Sequence, residues 1–324
     1  MERTGVLLLQ MGGPRSLDEV EPYIQRLFSD PCLVQLPFPV KLFRGPLSRR
    51  VARKRSPEVR EQYEQIGGSS PNNRVTGEQA AALQEALGED FRCYAAMTYT
   101  PPRIGEALAR SIEDGCRRWV ALSMFPQYSS ASTEASFAEL RSEIAKAGIE
   151  PKQVQWIQRW GNDAAYLDAT AADVLTTVGE AKLQGPGQPH LLVTAHGIPV
   201  SYVKKGDPYV DEVESCLAGL RRRLPESLPI TLAYQSRATP VKWVEPATID
   251  MVAELGKQGE RNLVMLPISF VNDHIETLYE IDIELKEVAL ENGIENYSRV
   301  PVFNVDPRLT ALLRDLVLRE TSEK

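Results

Sequence analysis

Short apolar runs recur along the chain, each closed by a Gly, Pro or Ser-rich turn and followed by a stretch whose apolar residues fall three and four apart. That is the βα alternation of a parallel sheet covered by helices. Strand-like runs fall at 5–10, 92–97, 119–125 and 154–158, and again at 191–195, 230–234, 263–270 and 299–303. Four and four predict an α/β fold built from two lobes, each a four-stranded parallel sheet flanked by helices. The first run of each set also ends alike, in Met11-Gly12-Gly13-Pro14 and in His196-Gly197-Ile198-Pro199, a faint internal repeat. It puts Met11 and His196 in corresponding positions and predicts a ligand cleft between the lobes.

Helical periodicity predicts helices over 16–28 with Ser16 as N-cap, 102–114, 132–147, 163–180, 207–223, 245–257, 274–291 and 307–320. Only the stretch 31–75 lacks a clean βα unit. No linker or low-complexity tract interrupts the chain. The expected division is an N-terminal lobe over 1–162, completed by a C-terminal helix at 305–324, and a C-terminal lobe over 163–304.

Composition narrows the chemistry. The chain has 324 residues, 43 % hydrophobic and 25 % charged, enough for two cores of about 150 residues each. Its net charge of −7 disfavours a nucleic-acid partner. The N-terminal apolar stretch is too brief for a signal h-region or a membrane span, which predicts a cytoplasmic protein. The four cysteines, Cys32, Cys93, Cys116 and Cys216, show no disulfide or metal-type spacing. The interval 31–57 has no acid at all, and sets Lys41, Arg44, Arg49, Arg50, Arg53, Lys54 and Arg55 among Leu36, Phe38, Val40, Leu42, Phe43 and Leu47. It reads as a solvated basic helix, or as a lip for something both apolar and anionic, either a membrane face or a carboxylate-bearing aromatic ligand.

Two of the three histidines follow buried runs, at Thr194-Ala195-His196-Gly197 and Asp273-His274-Ile275-Glu276. Open α/β sheets collect ligands at the carboxyl ends of their strands, so both segments are expected to form site walls. On a helix starting near Asp273, Glu276, Glu280 and Glu284 line one face at a mutual repulsion of roughly 0.2 to 0.5 kcal/mol per pair. Such a stripe is a solvent-facing acidic edge, or a track that conducts a divalent cation or carries protons. His196 alone reads equally as a hydrogen-bonded core residue. With Glu276 opposite, it makes an open site for Fe(II) or Zn(II), and neutral imidazole accepts protons near pH 7. Phosphate-loop, nucleophile-elbow, zincin and full dinucleotide motifs are all missing.

These segments, with Ile66-Gly67-Gly68-Ser69-Ser70-Pro71, Phe125-Pro126-Gln127-Tyr128-Ser129, Gly206-Asp207-Pro208-Tyr209, Tyr234-Gln235-Ser236-Arg237 and Val241-Lys242-Trp243, resemble ferrochelatases over nearly the whole chain. The resemblance implies two Rossmann-like lobes of the class II chelatase kind and insertion of Fe(II) into a porphyrin. It implies His196 and Glu276 as catalytic and metal-facing pair, with Asp273 and His274 supporting Glu276 and with Glu280 and Glu284 extending an acidic track. It further implies Met11 pressing on the macrocycle, Arg55 and Ser70 holding propionates, and Tyr99 and Trp160 lining the cavity. Met11 in place of the tyrosine of the coproporphyrin branch points to protoporphyrin IX.

Departures from the family pattern matter too. Thr98 stands where many relatives carry arginine, and Thr239 replaces a frequent glycine. Ser130 stands where animal enzymes have a cluster cysteine, so the resemblance implies no cofactor beyond substrate iron and no iron–sulfur cluster. Peripheral membrane contact through residues 36–55 is compatible with it. The competing readings are a chelatase for another tetrapyrrole, whether coproporphyrin III or a cobalt or nickel precursor, and a non-catalytic tetrapyrrole or metal carrier.

Overall fold

The computed structural model describes residues 3–36, 38–236 and 241–322. The chain divides into two compact units, Met1–Arg159 with Phe303–Lys324, and Trp160–Val302. The first holds a parallel sheet of β1 (Arg3–Gln10), β2 (Phe91–Met97), β3 (Cys116–Ser123) and β4 (Val154–Ile157), in the order β2-β1-β3-β4. The second repeats that order as β6-β5-β7-β8, from β5 (His190–His196), β6 (Ile230–Gln235), β7 (Asn262–Pro267) and β8 (Asn296–Arg299). The two-sheet α/β architecture expected from the apolar runs is the one observed. In each sheet the first strand is central and fully buried over its apolar core, Val6 to Leu9 in one and Leu191 to Val193 in the other.

Helices cover both sheets. In the first unit they are α1 (Val20–Ser29), α2 (Arg44–Gln65), α3 (Asn72–Leu87), α4 (Ile104–Glu113) and α5 (Thr133–Lys146). In the second they are α6 (Ala164–Gln184), α7 (Val200–Val203), α8 (Tyr209–Arg221), α9 (Thr248–Lys257) and α10 (Lys286–Glu291). The last helix, α11 (Pro307–Ser322), returns to the first unit and packs on α3 and β4. Ile104, Leu108, Phe137 and Leu140 from α4 and α5 bury against Leu7, Leu9 and Trp119 of the first sheet. Val252, Leu255, Ile281 and Leu285 do the same against Leu192, Leu263 and Met265 of the second.

Four sequence expectations are corrected. The last strand lies at Asn296–Arg299 rather than 299–303: its half-buried polar residues pair with Asn262 to Met265, while Pro301, which lacks an N–H, ends the ladder. Ser16 precedes a 3₁₀ turn at Leu17–Glu19 and makes no side-chain cap bond. Helix α3 (Asn72–Leu87) has no counterpart among the expected helices, while the stretch 31–75, expected to lack a clean βα unit, carries α2 and no strand among the described residues. In α2 the buried residues are Ser48, Ala52, Ser56 and Tyr63; the first three, small and four apart, form the face that packs closely on α1, where Ser29 Oγ donates to Ser48 Oγ at 2.9 Å. A face that small gives no apolar periodicity to read. Finally, the predicted helix 274–291 is a π-helix over Glu276–Leu285 that becomes α only in α10. Among the described residues no helix is long and apolar enough to cross a membrane.

Candidate active site

The second sheet delivers three loops to one point at its carboxyl edge. β5 ends on His196, paired in register with Gln235 at the end of β6. Gly197 comes next because a side chain there would put Cβ 2.8 Å from the Gln235 carbonyl oxygen, which its own N–H already meets at 2.8 Å. Beyond β7 the chain turns through Asp273 and His274 into the π-helix, whose first residue is Glu276. π turns carry one more residue than α turns and are found most often at functional sites.

His196 Nδ1 lies 2.7 Å from Glu276 Oε2. Ser236 Oγ reaches that same Glu276 oxygen at 3.2 Å and Glu280 Oε2 at 2.5 Å. Gln235 Nε2 donates to Glu280 Oε2 at 3.0 Å and to the Glu276 carbonyl at 3.1 Å, and its own amide oxygen is fixed by Thr194 Oγ1 at 3.0 Å. Ser236 holds this place with φ of 66°, a left-handed conformation costly for any residue with a side chain. Strain there is offset by the hydrogen bonds it permits.

The electrostatics split the two acids. Burial pushes the Glu276 carboxyl up, but the charge and hydrogen bond of His196, then His274 and Ser236, outweigh it and hold it at about 2. Burial and the neighbouring Glu276 charge push Glu280 up to about 8. For His196, burial favours the neutral ring, yet Glu276 and Glu280 prevail and the imidazole titrates above its usual range. Burial keeps His274 below that range. Near neutral pH one acid is therefore ionised and its neighbour protonated, which is how a site separates acid from base.

The remaining predicted residues fall into place unevenly. His274 accepts the Glu276 N–H on Nδ1 at 3.2 Å and stacks edge-on to Phe270 at 4.6 Å. Asp273 accepts from Thr277 Oγ1 at 2.9 Å and pairs with Arg299 at 3.1 Å. Glu284 is exposed on the second turn beyond Glu276. In the first unit, Met11, Ser70 and Tyr99 gather at the carboxyl edge of β1: Tyr99 N donates to Met11 O at 3.0 Å and Ser70 N to Pro14 O at 2.7 Å. Tyr99 is buried, and its hydroxyl is committed to Asp30 Oδ2 at 2.7 Å. Arg55 stands on α2 over the Phe28 ring at 5.6 Å. Trp160 is a buried residue of the second unit, edge-on to Tyr166 at 5.4 Å. Thr98 is buried, with its hydroxyl on Ser136 Oγ at 2.8 Å, and brings no charge. Thr239 lies outside the described residues.

Sequence reasoning passed over Ser236, Gln235 and Thr194 as site residues, although Gln235 and Ser236 stood in a recognised segment. Neutral side chains carry no charge pattern, and only the pairing of β5 with β6 brings them to the acids. Among the described residues, no group of three or more His, Cys, Asp or Glu side chains is placed to hold a metal ion. His196 and Glu276 offer two donors.

A family model described as Ferrochelatase matches residues 3–321. A ferrochelatase of Geotalea uraniireducens is 41 % identical over 324 residues, spanning 100 % of this chain and 99 % of that one. A ferrochelatase of Synechococcus elongatus is 42 % identical over 322 residues, spanning 98 % of this chain and 82 % of its own. Among solved structures, the sirohydrochlorin chelatase SirB from Bacillus subtilis subspecies spizizenii in complex with cobalt superposes with a TM-score of 0.54 at 12 % identity, over 99 % of this chain and 96 % of that one. That likeness speaks to the fold.

Proposed function

The chain belongs to the ferrochelatase family, lyases that insert iron into a porphyrin for haem synthesis, and from that premise we propose that its substrate is protoporphyrin IX and that His196 and Glu276 carry the chemistry. Insertion of Fe(II) displaces two pyrrole N–H protons, which must leave as the metal enters. With Nδ1–H donating to the Glu276 carboxylate, neutral His196 presents Nε2 as proton acceptor, and Glu276 stabilises the imidazolium that results.

A proton arriving at Glu276 then has a way out. One hydroxyl proton on Ser236 cannot serve two carboxylates, but with Glu280 protonated the hydrogen bonds run in sequence, Glu280 O–H to Ser236 Oγ and Ser236 O–H to Glu276. Glu280 first releases its own proton at its far side; Ser236 then passes its hydroxyl proton to the Glu280 carboxylate and takes the proton of Glu276 in its place, which returns Glu276 to carboxylate and Glu280 to acid. The single observation that carries this reading is the 2.7 Å bond of His196 to Glu276, continued through Ser236 to a raised-pKa acid.

In the same reading Met11, Tyr99 and Trp160 contact the macrocycle, and Arg55 and Ser70 hold its propionates. Burying about 300 Å² of macrocycle contributes roughly 7 kcal/mol at about 25 cal/mol per Å². That exceeds the ~1–5 kcal/mol needed to buckle the ring and expose nitrogen lone pairs. Asp273, His274 and Glu284 complete the acidic approach for iron. Ser130 at the cluster-cysteine position supports an enzyme without an iron–sulfur cluster.

The lip supports work in the cytoplasm at a membrane face. Phe38, Leu42 and Phe43 are 73 %, 68 % and 64 % exposed, beside exposed Lys41, Arg49, Arg50, Arg53 and Lys54. Fluorescence loss of protoporphyrin IX on adding Fe(II), followed over many turnovers, tests the assignment. Catalytic loss is expected; loss that stops at one equivalent would make the protein a carrier, and faster consumption of coproporphyrin III would reassign the substrate.

A further inference from the structure

The π-helix bearing Glu276 and Glu280 is gripped from the side by the edge strand β8. Tyr297 Oη donates to the Ile281 carbonyl at 2.7 Å. Arg299, on the same face of β8 two residues later, reaches two acids at once. Its Nε and Nη2 meet Asp282 Oδ1 and Oδ2 at 2.7 and 2.9 Å, and Nη2 also lies 3.1 Å from Asp273 Oδ1. The Arg299 side chain is only 13 % exposed, so this planar, two-toothed pairing sits where water competes little.

The spacing of the two acids is informative. Residues nine apart stand roughly half a turn from each other on an uninterrupted α-helix at about 100° per residue. Here one guanidinium holds both, one on the loop before the π-helix and one in its middle. π geometry persists only where its surroundings over-determine it. Within this unit the surroundings include a fixed point on each side: Gln235 and Ser236 of the β6 end take Glu276 and Glu280, while Tyr297 and Arg299 of β8 take Ile281 and Asp282.

The geometry points to Arg299, assisted by Tyr297, as the positioning residue of the metal-insertion site: it fixes the winding of Glu276–Leu285 so that both carboxylates converge on Ser236 and His196. Neither residue touches His196, Glu276, Glu280 or Ser236: Tyr297 acts through the Ile281 carbonyl, and Arg299 through Asp282 and Asp273. This inference rests on the chelatase reading above.

The test uses the full-length enzyme with Asp282→Asn, which keeps the Arg299–Asp273 pair, Tyr297→Phe, and Arg299→Lys, which keeps charge but loses the two-toothed geometry. Iron insertion, porphyrin KM and amide hydrogen exchange over residues 276–285 are measured for each. Expected are faster exchange confined to that segment, kcat lowered at least tenfold in Asp282→Asn and Arg299→Lys, and porphyrin KM within twofold of the parent. Combining Asp282→Asn with Ser236→Ala should cost little more than either alone, since both disable the same pair of acids. A folded Asp282→Asn enzyme with kcat within twofold of the parent overturns the proposal, as does a loss lying wholly in porphyrin KM. If Arg299→Lys does not fold, Asp282→Asn and Tyr297→Phe still decide. A parent enzyme that inserts no iron would instead remove the chelatase reading itself, so the two failures are distinct.

Discussion

Ser236 stands between two acids with one hydroxyl proton to give, and the protonation of Glu280 resolves the conflict. That protonation makes stability depend on pH. A carboxyl raised to about 8 in the folded protein binds its proton more tightly than in the unfolded chain, so its contribution to stability is complete below about pH 4.3 and is lost as pH climbs to about 8. Glu280→Gln should therefore flatten the decline in unfolding free energy between pH 5 and 8, by about 1–3 kcal/mol after allowing for solvent screening. Denaturant titrations at several pH values check this, and an unchanged slope would speak against a protonated Glu280. Glu276 runs the other way: held at about 2, it stabilises above about pH 4.3 and that contribution fades as pH falls to 2. His196, raised above its usual range, must be neutral to accept a proton, so kcat should rise with pH through a point above 6.5. An acid limb centred well below 6.5 would remove His196 from that role. Removing the Ser236 hydroxyl in Ser236→Gly, which also relaxes the positive φ, should lower kcat without loss of stability; unimpaired kcat would exclude a relay through it.

At the scale of elements, charge and periodicity were legible while packing was not. The acids four apart at Glu276, Glu280 and Glu284 were legible as one helical stripe, because residues at that spacing share a face in either winding, and the structure brings Glu276 and Glu280 together at Ser236. The π form itself was hidden, since it depends on partners in β6 and β8 far away in sequence. β8 was misplaced for a related reason: its polar, half-buried residues show no apolar run, whereas Val300 and Val302 just beyond it do. The basic stretch reads from sequence as a solvated helix or a lip; in the structure α2 turns small residues to α1, and Phe38, Leu42 and Phe43 just before it are exposed. Replacing these three with serine should weaken sedimentation with vesicles containing anionic lipid several-fold. Turnover of detergent-dispersed porphyrin should change less. Equal sedimentation of both proteins would leave the lip without a membrane role.

Across the whole molecule the duplication was the most readable feature, because each sheet writes its own strand and turn rhythm into the chain. Both units have the same strand order, and both place a glycine after the first strand where a side chain would collide, Gly12 with Thr100 and Gly197 with Gln235. The two glycine loops differ in their partners. In the first unit, the Gly12 loop is tied down by Asn72, Asn73 and Tyr23, neutral groups suited to shape. In the second, the Gly197 loop presents His196 to an acid, a group suited to proton transfer. Motif and spacing located that histidine and that acid, but their contact and the chain of hydrogen bonds behind them are products of tertiary structure. The most direct measurement places His196→Ala beside the parent enzyme and tracks protoporphyrin binding and Fe(II) insertion together. The account predicts binding within a few-fold of the parent and insertion slowed by about 10²-fold or more; insertion at close to the parental rate would contradict it.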